Sequence, residues 1–413
     1  MSGSDMRTTL DGSLLANTIE RLSEVDQRRA ARYPGDHGGR QPVHTCYVPA
    51  DKITDDLPAR WGAEATAAFE EHAPDPAVLA AAVGVPAALA PTVFERVRAK
   101  LAAEPVEDLR VDFEDGYGSR DDAAEDADAV RAAELIGGWG LAGVGIRMKS
   151  FDTPELFERG VRTFDLVLTG LETPPPGFVV TFPKVTGPDQ VEVLVDLFEV
   201  LEQRLGLDES TLRFEVQIET TQAVIDHKGR FTIPRLIEAG AGRVSGLHFG
   251  TYDYTAACGL GAADQHLAHA ACDFARHAMQ VGAAGTGVRL SDGSSNVLPV
   301  GDNVHTAWRS HYKLVRRSLS HGFYQGWDLH PAQLISRYCA VFAHHLETAE
   351  ADGKRLAAYV ARTSGSILDE PATAAALARS LRRAVDCGAL TAAEVTASCG
   401  LGMDELTALV ERR

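Results

Sequence analysis

The chain has 413 residues, 45% hydrophobic and 24% charged, which is enough for one large domain with additions. Its formal net charge of -18 repels phosphates and argues against binding nucleic acid or an anionic membrane. The six cysteines show no CxxC spacing, residues 1–11 lack a secretory apolar core, and no apolar run reaches about 18 residues, so a membrane span is not expected and a reducing cytoplasm is.

Residues 1–40 read as a helical arm and linker. Leu14, Leu15, Ile19, Leu22 and Val25 recur at helical spacing over 14–31, and Tyr33-Pro34-Gly35 stops the helix. The body, 41–345, opens with a strand at 43–48, and helices are expected at 58–72, 76–83 and 91–103. Further strands are expected at 109–113, 143–147, 178–182, 212–218, 244–249, 287–290 and 323–327. Helices between them are expected at 120–136, from the Asp152-Thr153-Pro154-Glu155 start signal onward, and at 188–205, 232–240, 264–281 and 302–321. Such alternation implies a parallel sheet, and eight strand–helix units imply closure into an α/β TIM barrel, (β/α)8. An open doubly wound sheet is the alternative, but no GxGxxG follows the first strand. Residues 346–413 carry helical patterns at 352–362, 371–386, 391–397 and 403–412, a C-terminal helical extension suited to packing on the barrel or on a neighbouring subunit.

In such a barrel the active site lies at the C-terminal strand ends. Those ends carry Asp112, Glu114 and Asp115, then Arg147 and Lys149, Lys184, Glu219 with Thr220 and Thr221, Tyr252 with Asp253, Asp292, and Asp328 with His330. Glu219 and Asp253 each follow an apolar strand, and two carboxylates completed by water and substrate oxygens suit magnesium. Each is otherwise a helix cap or an ion-pair partner. Arg147 offers a planar guanidinium for a substrate carboxylate, or a structural pair with the strand-two acids. Asp112, Glu114 and Asp115 would hold waters, orient Arg147 or act as a base, unless they form a solvated loop. Lys184 either meets an anionic substrate group or neutralises the ring of acids, and His330 is a base or a structural histidine. His44 and His248 lie within strands and read as satisfied core residues.

The ordered set Val111-Asp112-Phe113-Glu114-Asp115, Ile146-Arg147, Phe182-Pro183-Lys184-Val185, Gln217-Ile218-Glu219-Thr220, Phe249-Gly250-Thr251-Tyr252-Asp253 and His330-Pro331-Ala332-Gln333 resembles the HpcH/HpaI aldolase and citrate lyase β-subunit superfamily over about residues 43–340. The resemblance implies a TIM barrel, Mg2+ or Mn2+ on Glu219 and Asp253, and a cytoplasmic homo-oligomer, a trimer or hexamer. It implies a carbon–carbon lyase or aldolase acting on a 2-oxo or 3-hydroxy acid through an enolate. Catalytic roles then fall to Arg147, Asp112, Glu114 and Asp115, and substrate contacts to Arg147, Lys184, Thr220, Gly250, Thr251 and His330. The alternatives are a CoA-ester lyase or a malate-synthase-like condensation of an acyl-CoA with an oxo acid, and phosphoryl transfer in a pyruvate-binding barrel, although no GxxxxGK[ST] is present. Two departures bear on substrate. Asp115 stands where HpaI-type aldolases carry a histidine, and the stretch from Gly116 to Asp128 holds Arg120 as its sole cation, which favours a free oxo acid over a coenzyme A ester. His227-Lys228-Gly229-Arg230 is expected to form an inserted loop whose cations meet a second anionic group of the substrate.

Overall fold

A computed structural model describes residues 9–10, 12–36, 39–361 and 370–411. The expected arm at 1–8, 11 and 37–38, and the expected helix ends at 362 and 412, lie outside them. Helix α1 (Gly12–Arg32) precedes the barrel and buries none of its residues. The barrel begins with β1 (His44–Pro49), α2 (Leu57–His72), α3 (Pro76–Val83), α4 (Ala90–Ala103) and β2 (Asp108–Asp112). It continues with α5 (Asp122–Ile136), β3 (Gly143–Arg147), α6 (Pro154–Leu171), β4 (Phe178–Phe182), α7 (Pro188–Leu205) and β5 (Phe214–Ile218). Next come α8 (Thr221–Val224), α9 (Ile233–Ala239), β6 (Val244–Phe249), α10 (Thr251–Ala257), α11 (Ala270–Ala283), β7 (Arg289–Ser291), α12 (Val304–Ser320) and β8 (Gly326–Asp328). The chain ends in α13 (Gln333–Val360), α14 (Pro371–Asp386), α15 (Ala392–Cys399) and α16 (Met403–Glu411).

All eight strands pair in parallel in the order β7-β6-β5-β4-β3-β2-β1-β8. A parallel bridge between Ser291 and Gln325, with Asp292 N donating to Gln325 O at 2.8 Å, closes β7 on β8. The protein is therefore a TIM barrel, as its alternating pattern predicts. Several helices start where their caps are written: the Thr153 hydroxyl accepts from Leu156 N, and the Asp121 carboxylate from Ala124 N. The differences lie at the short, glycine-rich last strands. β7 and β8 start two to three residues later than their apolar runs suggest, the helix expected at 264–281 is α11 and begins only at Ala270, and the short α10 before it is not announced by the pattern. Among the described residues no helix is long and apolar enough to cross a membrane.

The boundary expected at 345/346 falls inside α13, which runs unbroken from the barrel into the C-terminal helices. Its root is fixed by charge. Arg337 on α13 reaches Asp328 at the end of β8, with Nη2 2.9 Å from Oδ1. His44 Nδ1 lies 3.2 Å and His311 Nε2 3.4 Å from the same carboxylate, and all four side chains are buried. Burial would raise the Asp328 carboxyl, but Arg337 with the two histidines holds it well below the usual range. Asp328 is thus a structural counter-charge, not a member of the site. Replacing it by Asn leaves the guanidinium buried without its counter-charge. We expect Asp328→Asn to lose about 3–5 kcal/mol in urea unfolding; a loss below about 1 kcal/mol would show that Arg337 does not need it.

Candidate active site

Strand alternation sends every second residue into the barrel, and here those residues are polar. In the lower layer Arg110 from β2 meets Glu215 from β5 through two bonds, Nε to Oε1 at 2.9 Å and Nη2 to Oε2 at 3.1 Å. Thr181 donates to Glu215 at 2.5 Å, and His248 Nε2 lies 2.9 Å from it. The Trp327 indole donates to His248 Nδ1 at 3.2 Å, which leaves the hydrogen of that ring on Nε2. His248 is a satisfied core histidine, as its place in a strand suggests.

The upper layer is the candidate site. The β2–β3 register sets Asp112 beside Arg147. Asp112 then takes Arg147 on two edges, Oδ1 from Nε at 2.7 Å and Oδ2 from Nη2 at 2.6 Å. Arg147 Nη1 lies 3.2 Å from Glu114 Oε2, and the Tyr47 ring faces the guanidinium at 5.0 Å. Asp112 is itself fixed by Glu114 N and Gly116 N, each at 2.9 Å. Lys184 stands between the remaining acids. Its Nζ is 3.1 Å from Glu114, 3.1 Å from Asp115 and 3.3 Å from Asp253, while its backbone N donates to Glu219 Oε1 at 2.7 Å. To do both, Lys184 adopts φ 51°, a left-handed conformation that costs a non-glycine residue about 1–3 kcal/mol. Gly250 supplies the space for Glu219, since a Cβ there would come 2.4 Å from the Glu219 Cβ.

Above this layer opens a cavity of about 440 Å³ lined by Asp112, Arg147, Glu219, Thr251 and Asp253. Tyr47, Gln217 and Thr251 also line it, and Gln217 Oε1 and Thr251 Oγ1 are buried without a hydrogen-bond partner among the described residues. Buried polar atoms are normally paired, so two orphans on one cavity wall mark a place shaped for a polar ligand. Tyr47, Gln217, Trp327 and Ser294 are lining residues that strand-end reasoning missed. The inward period of β1, β5 and β8 is the signal that finds the first three.

The structure does not bring every expected residue to the cavity. The Thr220 hydroxyl donates to Val185 O at 2.6 Å and caps Ala223 N, so it is a helix cap. His330 caps Ala332 N through Nδ1 and lies outside the cavity wall, half-buried, with burial lowering its pKa. In both cases the backbone that follows the strand takes the side chain: Thr220 caps the short α8, and His330 accepts from the turn that leads into α13. Lys184 engages acids; it is the neutraliser of the ring rather than a cavity contact. Lys149 binds Phe113 O and Glu125, and Asp292 pairs with Arg276. The 227–230 turn folds on Asp226, which takes Arg230, and none of its cations reaches the cavity.

The donor set suits a divalent cation. Asp112, Glu114, Asp115, Glu219 and Asp253 face two enclosed cations, Arg147 and Lys184. Burial, reinforced by the charges of Glu114 and Asp253, pushes the Glu219 carboxyl up to about 8 against the pull of Lys184. Burial likewise pushes Glu114 up to about 7, with Asp115 adding to it and Arg147 and Lys184 opposing. Glu219 and Asp253 line the same cavity, and each Glu219 oxygen accepts one hydrogen bond, from Lys184 N or from Gln217 Nε2 at 2.8 Å, which leaves a second lone pair. Among the described residues no group of three or more His, Cys, Asp or Glu side chains encloses an ion site. A cation here would therefore take two carboxylates and complete its shell with water and substrate.

The raised carboxyls set the pH dependence. A group whose folded pKa lies above its unfolded value stabilises fully below the unfolded value and loses that contribution as pH rises through the folded one. The metal-free protein should therefore lose stability between about pH 5 and pH 8. A cation must displace the Glu219 proton, so Mg2+ affinity should rise about tenfold per pH unit below pH 8. Thermal shifts at pH 6 and pH 8 read both effects; equal Mg2+ stabilisation at the two values would sink the assignment, and Glu219→Gln should remove the effect.

No curated protein matches the chain. Among solved structures, Haloferax volcanii malate synthase in its lead(II) complex shares 18% identity over 90% of each chain with a TM-score of 0.47. Its magnesium/glyoxylate complex shares 17% over 90% of this chain and 98% of that one, with a TM-score of 0.46. Its pyruvate/acetyl-CoA ternary complex shares 16% over 90% and 99%, again with a TM-score of 0.46. Likenesses of this degree carry no argument about activity. The profile of a family described as a domain of unknown function, DUF6986, matches residues 22–413, and the protein belongs to that family.

Proposed function

We propose that the protein is a divalent-metal-dependent enzyme that makes or breaks a carbon–carbon bond next to the carbonyl of an oxo acid, through an enolate. The observation that carries this is Arg147, locked on two edges by Asp112 beside the over-acidic pocket of Glu219. The order of the strand-end motifs, which resembles the HpcH/HpaI and citrate lyase β-subunit superfamily, supports the same chemistry. Glu219 and Asp253 would hold Mg2+ or Mn2+, which when bound polarises carboxylate and keto oxygens as a Lewis acid.

The chain's own groups do the rest. Arg147 keeps N–H donors beyond those that Asp112 takes, and these meet the substrate carboxylate or the oxygen on which charge develops. Asp112 spares Arg147 any reorganisation at that moment. Glu114, pushed up to about 7, is the group matched to carrying a proton at neutral pH. Lys184 links it to Asp115 on the cavity wall. The orphaned Thr251 and Gln217 oxygens orient the substrate, while Trp327, Leu329 and Pro49 shield it from water.

One observation favours condensation with an acyl-CoA as a second reading. Three of the acids after β2, which as a sequence would repel a coenzyme A phosphate, are held by neighbouring cations. Glu125 meets Lys149 and Arg159, Asp126 meets Arg159 and Arg162, and Asp128 meets Arg131 and the Tyr117 hydroxyl. Exposed Lys52 also stands on the cavity wall.

Proton NMR in D2O separates these readings. With Mg2+, the methyl protons of pyruvate should exchange, and Glu219→Gln and Arg147→Lys should each slow exchange by about 10²–10³. Exchange or condensation of acetyl-CoA with glyoxylate, and none with pyruvate, would establish the second reading. Silence from every pair with both metals would reject enolate chemistry.

A further inference from the structure

The opposite end of the barrel holds a second cavity, of about 610 Å³, that the catalytic reading does not use. It lies below β7 and β8, between Gly285, Gly287, Tyr324, the linker residues Asp36, Gly39 and Gln41, and α14. Four arginines line it: Arg289, Arg379, Arg382 and Arg383. This is an unusual concentration in a chain of net charge -18.

The counter-charges do not match it. Arg379 Nε donates to Asp36 Oδ2 at 3.2 Å. Among the described residues, the other three guanidiniums donate no hydrogen bond to a carboxylate. Arg289 gives Nη2 to Gly39 O at 3.0 Å, and Arg383 gives Nη2 to Gln41 Oε1 at 3.2 Å while lying 4.7 Å over the Tyr324 ring. Arg382 is only 5% exposed, and among the described residues its Nε and Nη1 have no hydrogen-bond partner and its nearest carboxylates, Asp386 and Asp36, stand off at 3.9 and 4.0 Å. Burial lowers the pKa of Arg289 and Arg383, neighbouring arginines add to the effect and Asp36 opposes it, while burial raises the pKa of Asp386. Glu411 is the remaining acid on the wall. A guanidinium enclosed without a hydrogen-bonded anion is unfavourable unless something else supplies one.

We propose that this cavity binds the phosphate group of a small phosphorylated metabolite, with Arg382 and Arg289 as its principal ligands. A terminal phosphate offers three oxygens to donors arriving from three sides, whereas a carboxylate offers two. The volume exceeds that of a phosphate and leaves room for an organic body of ligand size. The site is separate from the catalytic cavity, because one lies at the N-terminal and the other at the C-terminal ends of the parallel strands.

Calorimetric titration of the full-length, metal-free protein with inorganic pyrophosphate tests it. The expected result is saturable binding, weakened at least tenfold by Arg382→Gln and by Arg289→Gln and unchanged by Lys52→Gln on the catalytic side. Arg289 is half-buried, so its variant keeps the test open if Arg382→Gln fails to fold. Wild-type affinity in the arginine variants, loss in the Lys52 variant, or tighter binding of citrate than of pyrophosphate would each overturn the proposal.

Discussion

Two guanidinium–carboxylate pairs lie one above the other in the barrel, and the candidate site depends on their stacking. Arg110 and Asp112 are neighbours on the inward face of β2, and Glu215 shares the inward face of β5 with Gln217. The lower pair, Arg110–Glu215, gathers His248, Thr181 and Trp327 into a connected network. Such a pair is weak evidence for stability, because desolvation offsets much of its attraction. Its consequence here is positional. It fills the middle of the barrel with paired charges, and the carboxylates of the site stand above that layer.

The raised carboxyl of Glu219 follows from its own burial. An exposed glutamate with two acidic neighbours would shift little, because water would screen them. Glu219 is 2% exposed and feels Glu114 and Asp253 at close quarters. Its two candidate partners in metal binding are unlike in rigidity. Glu219 is tied by Lys184 N and Gln217, whereas exposed Asp253 is held among the described residues by Lys184 Nζ. One fixed and one adjustable carboxylate suit an ion that must accommodate a changing set of substrate oxygens. The left-handed backbone of Lys184 makes this possible, since it aims the amide at Glu219 and the ammonium at the other acids.

Much of this was legible in the sequence, for a physical reason. Parallel strands packed under helices give long apolar runs bounded by caps and prolines, so the alternation and most element positions could be read directly. The acids and Arg147 were legible because strand ends in such a barrel face the site. What could not be read was competition for the same side chain. Thr220 and His330 stand at strand ends, and the backbone that follows takes each of them, Thr220 as the cap of α8 and His330 in the turn ahead of α13. Tyr47 and Trp327 lie within apolar strands and look like ordinary core. Their inward direction is set by registers that only the closed barrel defines. β7 and β8, three residues each, carry too little pattern to be located closely.

Charge is the case in which linear reading misleads most. The segment after β2 looks hostile to a polyanion because its acids are consecutive in sequence. In space they are spread along α5, and α6 brings Arg159 and Arg162 against them. The arginines below β7 and β8 show the reverse. Arg289 is isolated in sequence, and the triplet on α14 lies close to Asp386, so neither looks unbalanced. Folding gathers the four around one cavity and, among the described residues, leaves Arg382 without a hydrogen-bonded counter-ion. A formal count over the chain predicts an anion-repelling protein; the field at each end of the barrel is set by which charges are buried and which of those are paired.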